Sequence, residues 1–341
     1  MIRVGLVGCG NIGNVHSNIL KDMKQVQIEA FVDTNLDCAL KYKEMYGTKD
    51  TRCYKSLSEM LRKEKIDVLH ICTPHYLHVP MAIEAFQEKI HVFMEKPPAI
   101  SKEEFSALKK AKQESGKELG ICFQNRYNEA TEKASEILES KILGKIKGAR
   151  AFITWNRQAD YYESGSWRGR WDTEGGGVLI NQAIHMLDLL TYFLGKPEYV
   201  EASMKNHHLK EVIEVEDTIE AYITFASGIA CFYATSAFVE DSPILLELVC
   251  EKGKVRIEGN CLEVTEGIGA KQTYDFTRET KWGNKQYWGN SHQMCIQDFY
   301  HSLESENDYR NNLESVENTF YLTMDIYEQC KGNRKKVESR R

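Results

Sequence analysis

The sequence predicts an α/β protein in two parts. The first is a doubly wound parallel sheet, and the second is an α+β domain with a large, open, mostly antiparallel sheet. Three observations carry this prediction. From Ile2 to Phe123 short apolar runs alternate with helical stretches, the signature of repeated β-α units. The first run ends in a glycine-rich turn that opens a helix. Beyond about residue 124 the pattern changes to runs rich in β-formers, joined by hairpin signals such as Ser227-Gly228 and Glu251-Lys252-Gly253-Lys254.

Taken in order, Ile2 to Val7 is long enough for a buried strand, and a helical pattern begins near Asn14. A second strand, Ile28 to Val32, ends in Asp33. Asp37 to Tyr46 and Ser56 to Glu64 read as helices. Asp67 to Cys72 reads as a strand stopped by Thr73-Pro74, since proline cannot donate to a sheet. A helix over Val79 to Glu88 and a strand over Ile90 to Met94 lead to Glu95-Lys96-Pro97-Pro98. Ser101 with Glu104 three residues on forms a capping box for the next helix, and Leu119 to Phe123 closes the series as its last strand. In the second part, a helix over Glu129 to Ser140 precedes strands at Ile146 to Trp155, Thr218 to Ala226, Ile229 to Phe238, Ile244 to Cys250 and Val255 to Glu258. Helices over Ser291 to Leu303 and Leu313 to Glu328 follow. The expected domains are therefore 1–123 and 124–332, with a solvated tail over 333–341.

The 341 residues are 42% hydrophobic and 28% charged, the composition of a globular protein with a sizeable core. A net charge of −6 gives no basic surplus for nucleic acid. No apolar run reaches the roughly 18 residues of a membrane span. Ten cysteines without a Cys-x-x-Cys pair read as buried thiols in a reducing compartment, and the chain opens directly on a strand, so a cytoplasmic location is expected.

Gly8-x-Gly10-x-x-Gly13 stands between a strand and a helix, the setting in which this pattern binds a dinucleotide. Glycine permits the tight turn, and the N–H groups around Asn11, Ile12 and Gly13 face a pyrophosphate at the helix N-terminus. Asp33 stands about 20 residues on, where a carboxylate accepts from both adenosine ribose hydroxyls. Thr34 and Asn35 supply no arginine for a 2′-phosphate, so NAD is favoured over NADP. The predicted domain is thus of Rossmann type, and ligands of such sheets bind at the carboxyl ends of strands, where Gly8, Asp33, Thr73, Lys96 and Gln124 fall.

A second motif is Gly175-Gly176-Gly177 followed by a helix that carries Asn181 and His185 four residues apart, on one face. It reads either as a proton-transfer histidine with an amide neighbour or as a glycine cap beside a core histidine. The three motifs in order are Gly8-x-Gly10-x-x-Gly13, Glu95-Lys96-Pro97 and Gly176-Gly177-x-x-x-Asn181-x-x-x-His185. Together they resemble the glucose–fructose oxidoreductase and inositol dehydrogenase (Gfo/Idh/MocA) family. Thr73-Pro74 with Leu77-His78, and Trp167-Arg168, add to the resemblance, which runs to about residue 330.

The resemblance implies an NAD-dependent oxidoreductase acting on a secondary alcohol of a sugar, cyclitol or sugar derivative. It implies that Thr73, Pro74, His78, Glu95 and Lys96 belong to the cofactor site. It makes Lys96, His185 and Asn181 the catalytic set, with Lys96 at the reacting oxygen, His185 as general acid/base and Asn181 positioning substrate. It further implies a homodimer or homotetramer formed through the second sheet. The family usually has aspartate where this chain has Asn181, and an amide positions a hydroxyl without taking its proton.

Histidine suits proton removal near neutral pH, and a fixed ammonium stabilises oxyanion character. Asp188 either orients the His185 ring or serves its helix. Tyr161, Tyr162, Trp167, Arg168 and Trp171 form an aromatic, cationic loop suited to a sugar, or to packing. Tyr162, Trp167, Arg168 and, at the domain junction, Arg126 are the candidate substrate contacts, with Asn181 and His185. His75 and His78 lack the further ligands a zinc site needs, so no metal is expected. Two other functions remain open: an NAD-dependent glycosidase of the same fold, and a non-catalytic NAD-binding regulator.

Overall fold

The computed structural model describes residues 1–163, 165–237, 240, 242–267, 269–277, 291–305 and 307–338. Contacts divide the chain into two units, Met1–Phe123 with His292–Val316, and Gln124–Ser291 with the chain from Glu317.

The first unit is built on a six-stranded parallel sheet. Its strands are β1 (Ile2–Val7), β2 (Val26–Val32), β3 (Arg52–Tyr54), β4 (Val68–Ile71), β5 (His91–Met94) and β6 (Leu119–Ile121), in the order β3-β2-β1-β4-β5-β6. The strand order reverses between β1 and β4, which is where such sheets bind ligands. Their connections are α1 (Asn11–Asp22), α2 (Leu36–Tyr46), α3 (Leu57–Lys63), α4 (His78–Gln87) and α5 (Lys102–Ser115). Helix α1 starts earlier than the position near Asn14 that the apolar pattern suggested, because the second half of the glycine motif is already helical. Strand β3 has no apolar run and is not legible from hydrophobicity. Ser101 caps α5 as expected: its Oγ accepts the Glu104 N–H at 3.2 Å, and the Glu104 carboxylate accepts from Ile100 N–H at 3.0 Å.

Residues 292–316, expected in the second domain, belong instead to the first unit. Helix α9 (Ser291–Glu304) sets Phe299 against Phe93, with ring centroids 5.2 Å apart. Farther on, the Asn311 carbonyl accepts from Ile121 N–H at 3.0 Å, and Asn311 Nδ2 donates to the Phe123 carbonyl at 3.0 Å. This segment covers the exposed edge of β6 and satisfies backbone groups there. Gly120 permits it, since a Cβ at that position would lie 2.6 Å from the Phe299 ring.

The second unit carries an eight-stranded sheet in the order β14-β13-β12-β11-β7-β10-β9-β8. The strands are β7 (Ile146–Thr154), β8 (Pro197–Lys205), β9 (Thr218–Phe225), β10 (Gly228–Thr235), β11 (Leu245–Cys250), β12 (Gly253–Glu258), β13 (Cys261–Glu266) and β14 (Ala270–Asp275). Among the described residues β7 and β10 pair in parallel and the other pairs of this sheet are antiparallel. The expected end of the β10 run at Phe238 lies outside the described residues. Sequence patterning does not mark β8, β13 or β14; β8 and β14 are the two edges of the sheet and carry many polar residues, as edge strands do.

One face of this sheet is apolar and buried, through Ile219, Ala221, Ile223 and Phe225 of β9 and Ala230, Phe232 and Ala234 of β10. The unit also holds α6 (Glu129–Glu139), α7 (Ala159–Glu163), α8 (Ile184–Leu194) and, from Glu317, α10 (Leu313–Glu338). Helix α10 continues through residues read from sequence as the start of a tail. Among the described residues no helix is long and apolar enough to cross a membrane.

Candidate active site

In the first unit the glycine motif forms a cradle at the N-terminus of α1. Gly8 has a φ of +97°, and a Cβ there would lie 2.5 Å from the Cys72 carbonyl oxygen. A Cβ on Gly13 would lie 2.2 Å from the Gly8 carbonyl oxygen, so the turn tolerates no side chain at either position. At Gly10 a Cβ would meet nothing within 4 Å, so the turn is open on that side. Gly10 gives α1 no side-chain cap, which leaves the first-turn N–H groups of Asn11, Ile12 and Gly13 as the donors of that helix end.

Asp33 stands beside this turn, with Oδ2 accepting Cys9 N–H at 2.9 Å and Oδ1 accepting Asn35 N–H at 2.8 Å. At the end of β4, Thr73 Oγ1 is buried and has no hydrogen-bond partner among the described residues. Pro74 follows at the head of a 3₁₀ turn over His75–Leu77. An open helix N-terminus, a carboxylate one strand over and an orphaned hydroxyl at the strand end fit a dinucleotide.

Two residues assigned to the cofactor site sit differently. His78 is fully buried, with Nδ1 2.8 Å from the Pro97 carbonyl and Nε2 3.0 Å from the Thr73 carbonyl. It braces the loops after β4 and β5 with both ring nitrogens, so its contribution is to hold Thr73 and Pro97 in place. Glu95 is likewise turned into the core, where its Oε1 lies 3.1 Å from His16 Nε2. A polar chain continues from there: His16 Nδ1 is 3.0 Å from His70 Nδ1, and His70 Nε2 is 2.9 Å from Tyr300 Oη. Burial opposes ionisation of Glu95. The His16 hydrogen bond and the charges of His16, His292 and Lys96 outweigh it and hold the carboxyl well below the usual range. Lys96, next in the chain, is half-buried.

In the second unit the glycines serve their own chain. A Cβ on Gly176 would lie 2.0 Å from Tyr327 Oη, and one on Gly177 would lie 1.9 Å from the Glu216 carbonyl oxygen. The close approach that Gly176 and Gly177 permit is therefore taken up by Tyr327 and Glu216. The Glu216 carboxylate accepts from Gly177 N–H at 3.0 Å, Leu179 N–H at 3.0 Å and the Tyr327 hydroxyl at 2.8 Å. It caps the helical segment that begins there. That segment opens with a π-helical turn, Leu179–Ala183, and passes into α8. Such turns recur at functional sites because they re-aim side chains. From Glu174 to Thr191 every residue is buried except Asn181 and His185.

Asn181 Nδ2 donates to Glu174 Oε1 and, at 3.3 Å, to the Tyr161 hydroxyl. Glu174 is a site residue that the sequence reading missed. It is fully buried, and its Oε2 accepts Gly169 N–H. Burial is the largest influence on Glu174 and pushes its carboxyl up to about 7. The Gly169 and Asn181 hydrogen bonds and the charge of Arg168 pull the other way, and Glu216 adds to the rise.

Tyr161, not its neighbour Tyr162, reaches Asn181. Tyr162 is buried in a cluster with Leu209, Ile213 and Val215, and its hydroxyl lies 3.3 Å from Ser236 Oγ, so it is a core residue. The Arg168 guanidinium lies 4.7 Å from the ring centroids of both Tyr161 and Trp167, which places these three side chains together.

Arg126, expected as a substrate contact, is 2% exposed and grips Asp188 with two hydrogen bonds of 2.8 and 2.6 Å. Asp188 also accepts from the Thr319 hydroxyl at 2.9 Å. The pair therefore locks α8, with the Asp188 oxygens engaged by Arg126 and Thr319.

The glycine cradle at the N-terminus of α1 is that of a dinucleotide-binding domain of Rossmann type. Residues 2–123 match the family model described as "Oxidoreductase family, NAD-binding Rossmann fold", and residues 131–256 match "GFO/IDH/MocA C-terminal domain". The chain belongs to the Gfo/Idh/MocA family.

Among its relatives is D-glucoside 3-dehydrogenase of Escherichia coli, 31% identical over 58% of this chain and 55% of the relative. Another is myo-inositol 2-dehydrogenase of Thermotoga maritima, 25% identical over 57% of this chain and 55% of the relative. Several of the matched relatives, these two included, are spanned over only about half of their length. A crystal structure of the WlbA dehydrogenase from Bordetella pertussis, in complex with NADH and UDP-GlcNAcA, superposes with a TM-score of 0.84. It is 27% identical, covering 97% of this chain and 96% of that one.

Proposed function

We propose that this protein is an NAD-dependent dehydrogenase acting on a secondary alcohol of a sugar, cyclitol or sugar derivative. The observation that carries the reading is the isolation of Asn181 and His185 as the two accessible side chains of an otherwise buried stretch, 174–191. A half-buried polar pair on a capped helical segment is what positioning and proton transfer require. NAD, when bound, supplies the hydride acceptor. His185 takes the hydroxyl proton, and the Lys96 ammonium stabilises negative charge on the oxygen that becomes a carbonyl. Asn181 holds a substrate hydroxyl. Tyr161, Trp167 and Arg168 offer the aromatic faces and planar cation that suit a sugar ring. The names of the relatives, dehydrogenases of a glucoside and of an inositol, support the substrate class.

The protein is proposed to act as a homo-oligomer through the open face of the second sheet. Tyr199, Ile229 and Val249 lie in one cross-strand row of that face, through Thr224 and Gly148, and Tyr222 lies on the same face. All four are among the exposed large hydrophobic residues. A cytoplasmic location is proposed from its ten free thiols.

Incubation with NAD and a panel of methyl glucosides, myo-inositol and UDP-linked sugars, followed at the absorbance of reduced nicotinamide, tests the reading. Net NADH is expected with at least one of them. Sugar release from a glycoside without net NADH would make the protein a glycosidase. NAD binding with no turnover of any kind would make it a regulator.

A further inference from the structure

The two N–H groups of Asn181 are directed at Glu174 Oε1 and the Tyr161 hydroxyl, so the amide is oriented by groups behind it. A carboxylate only accepts, whereas a carboxylic acid also donates. We propose that Glu174 is a positioning residue that sets the hydrogen-bonding polarity of Asn181. As a carboxylate it draws the amide N–H inward and presents Oδ1 to substrate. As a carboxylic acid it donates to Oδ1, turns the amide over and presents N–H. The proton involved is exchanged with solvent, and no bond of the substrate is made or broken. An outward Oδ1 accepts from a substrate hydroxyl other than the one His185 deprotonates, and an outward N–H cannot, so the carboxylate state is the one that holds an alcohol substrate through that second hydroxyl.

The surroundings support a carboxyl that changes state near neutral pH. Glu174 has the carboxylate of Glu216 and the phenols of Tyr162 and Tyr327 as electrostatic neighbours, with Arg168 as the opposing cation and Tyr161 beyond Asn181. Burial outweighs that cation and lifts Glu174 to about 7. Its oxygens are held by backbone Gly169 and by Asn181, one of which can turn and one of which cannot.

The substrate side of this proposal rests on the dehydrogenase reading, and the test separates the two. Infrared difference spectra of the full-length protein, with neither NAD nor sugar present, are recorded across the neutral range. A protonated-carboxyl band is expected to bleach with a midpoint near 7, to be absent in Glu174→Gln, and to move to higher pH in Asn181→Ala, which removes a donor to the carboxylate. A band that persists in Glu174→Gln, or a midpoint unmoved in Asn181→Ala, overturns the coupling. Asn181→Ala keeps the test decisive should Glu174→Gln fail to fold.

With whichever sugar the panel identifies, wild-type KM should rise about fivefold as pH falls through the same midpoint, the worth of one hydrogen bond. Glu174→Gln, whose amide donates to Asn181 Oδ1 at every pH, should hold the low-pH KM throughout while kcat changes far less. A variant KM that still follows the wild-type pH dependence also overturns the proposal. Infrared titration as expected with no sugar turned over would leave the coupling intact and refute the dehydrogenase reading.

Discussion

Glu95 and Glu174 are the same residue type, almost equally buried, at 7% and 0% exposure, and each adjoins a residue proposed for chemistry. Their ionisation is pushed in opposite directions. Glu95 is held below the ordinary carboxylate range and Glu174 is raised to about 7. Burial opposes the charge in both. What differs is the company: Glu95 has His16, His292 and Lys96 around it, whereas Glu174 has two amide donors, one cation and a second carboxylate, Glu216. Hydrogen bonds from neutral amides do not offset desolvation here; neighbouring positive charge does. One unit thus holds a fixed anion before Lys96, and the other a carboxyl that titrates behind Asn181.

The largest effect is expected at the lysine that follows the fixed anion. Lys96→Ala should lower turnover at least about 100-fold, the worth of one charge-stabilising donor. NAD affinity should change far less, because the proposed pyrophosphate donors are backbone groups of α1. Calorimetric NAD binding beside steady-state kinetics checks this, and near-native turnover would remove Lys96 from the chemistry.

Breaking the compensation at Glu95 should come next. His16→Ala removes the charged partner of a buried carboxylate and should cost about 3 to 5 kcal/mol of stability by denaturant titration. The same loss should raise the Glu95 carboxyl toward the behaviour of Glu174.

The smallest effect sharpens the contrast through pH. Folded Glu174 keeps a proton that the unfolded chain releases near 4.5, so its contribution makes stability fall as pH rises from about 4.5 to about 7, by roughly 3 kcal/mol in all. Glu174→Gln lacks this loss, and its stability relative to wild type should grow across that window and level off above it. Glu95 has the opposite sign. Its contribution is present above about 4.5 and is lost only as pH falls below that value.

Much of the first unit was legible in the sequence because its determinants are local. A strand, a glycine turn and a helix start are adjacent in the chain, and Asp33 is placed by the length of one β-α-β unit. The second unit was less legible because its determinants are distant partners. Arg126 at a domain junction reads as a pocket cation, and nothing near it in sequence points to Asp188, 62 residues on. Glu174 reads as the polar start of a glycine loop. Its role depends on Gly169 and Asn181 closing over it. Tyr161 and Tyr162 are equivalent as a pattern, and only the packing of Leu209, Ile213 and Val215 decides which one is core. The triglycine permits close approach, and what approaches, Glu216 and Tyr327, lies far along the chain.

The claim that most needs testing is that His185 handles the proton while Asn181 only positions substrate. The direct measurement is kcat and KM of His185→Ala and Asn181→Ala side by side, on the sugar the panel identifies. His185→Ala should lose about two to four orders of magnitude in kcat/KM, the usual worth of general acid–base catalysis. Asn181→Ala should chiefly raise KM. A His185→Ala enzyme that turns over like wild type, beside an inert Asn181→Ala, would contradict the account.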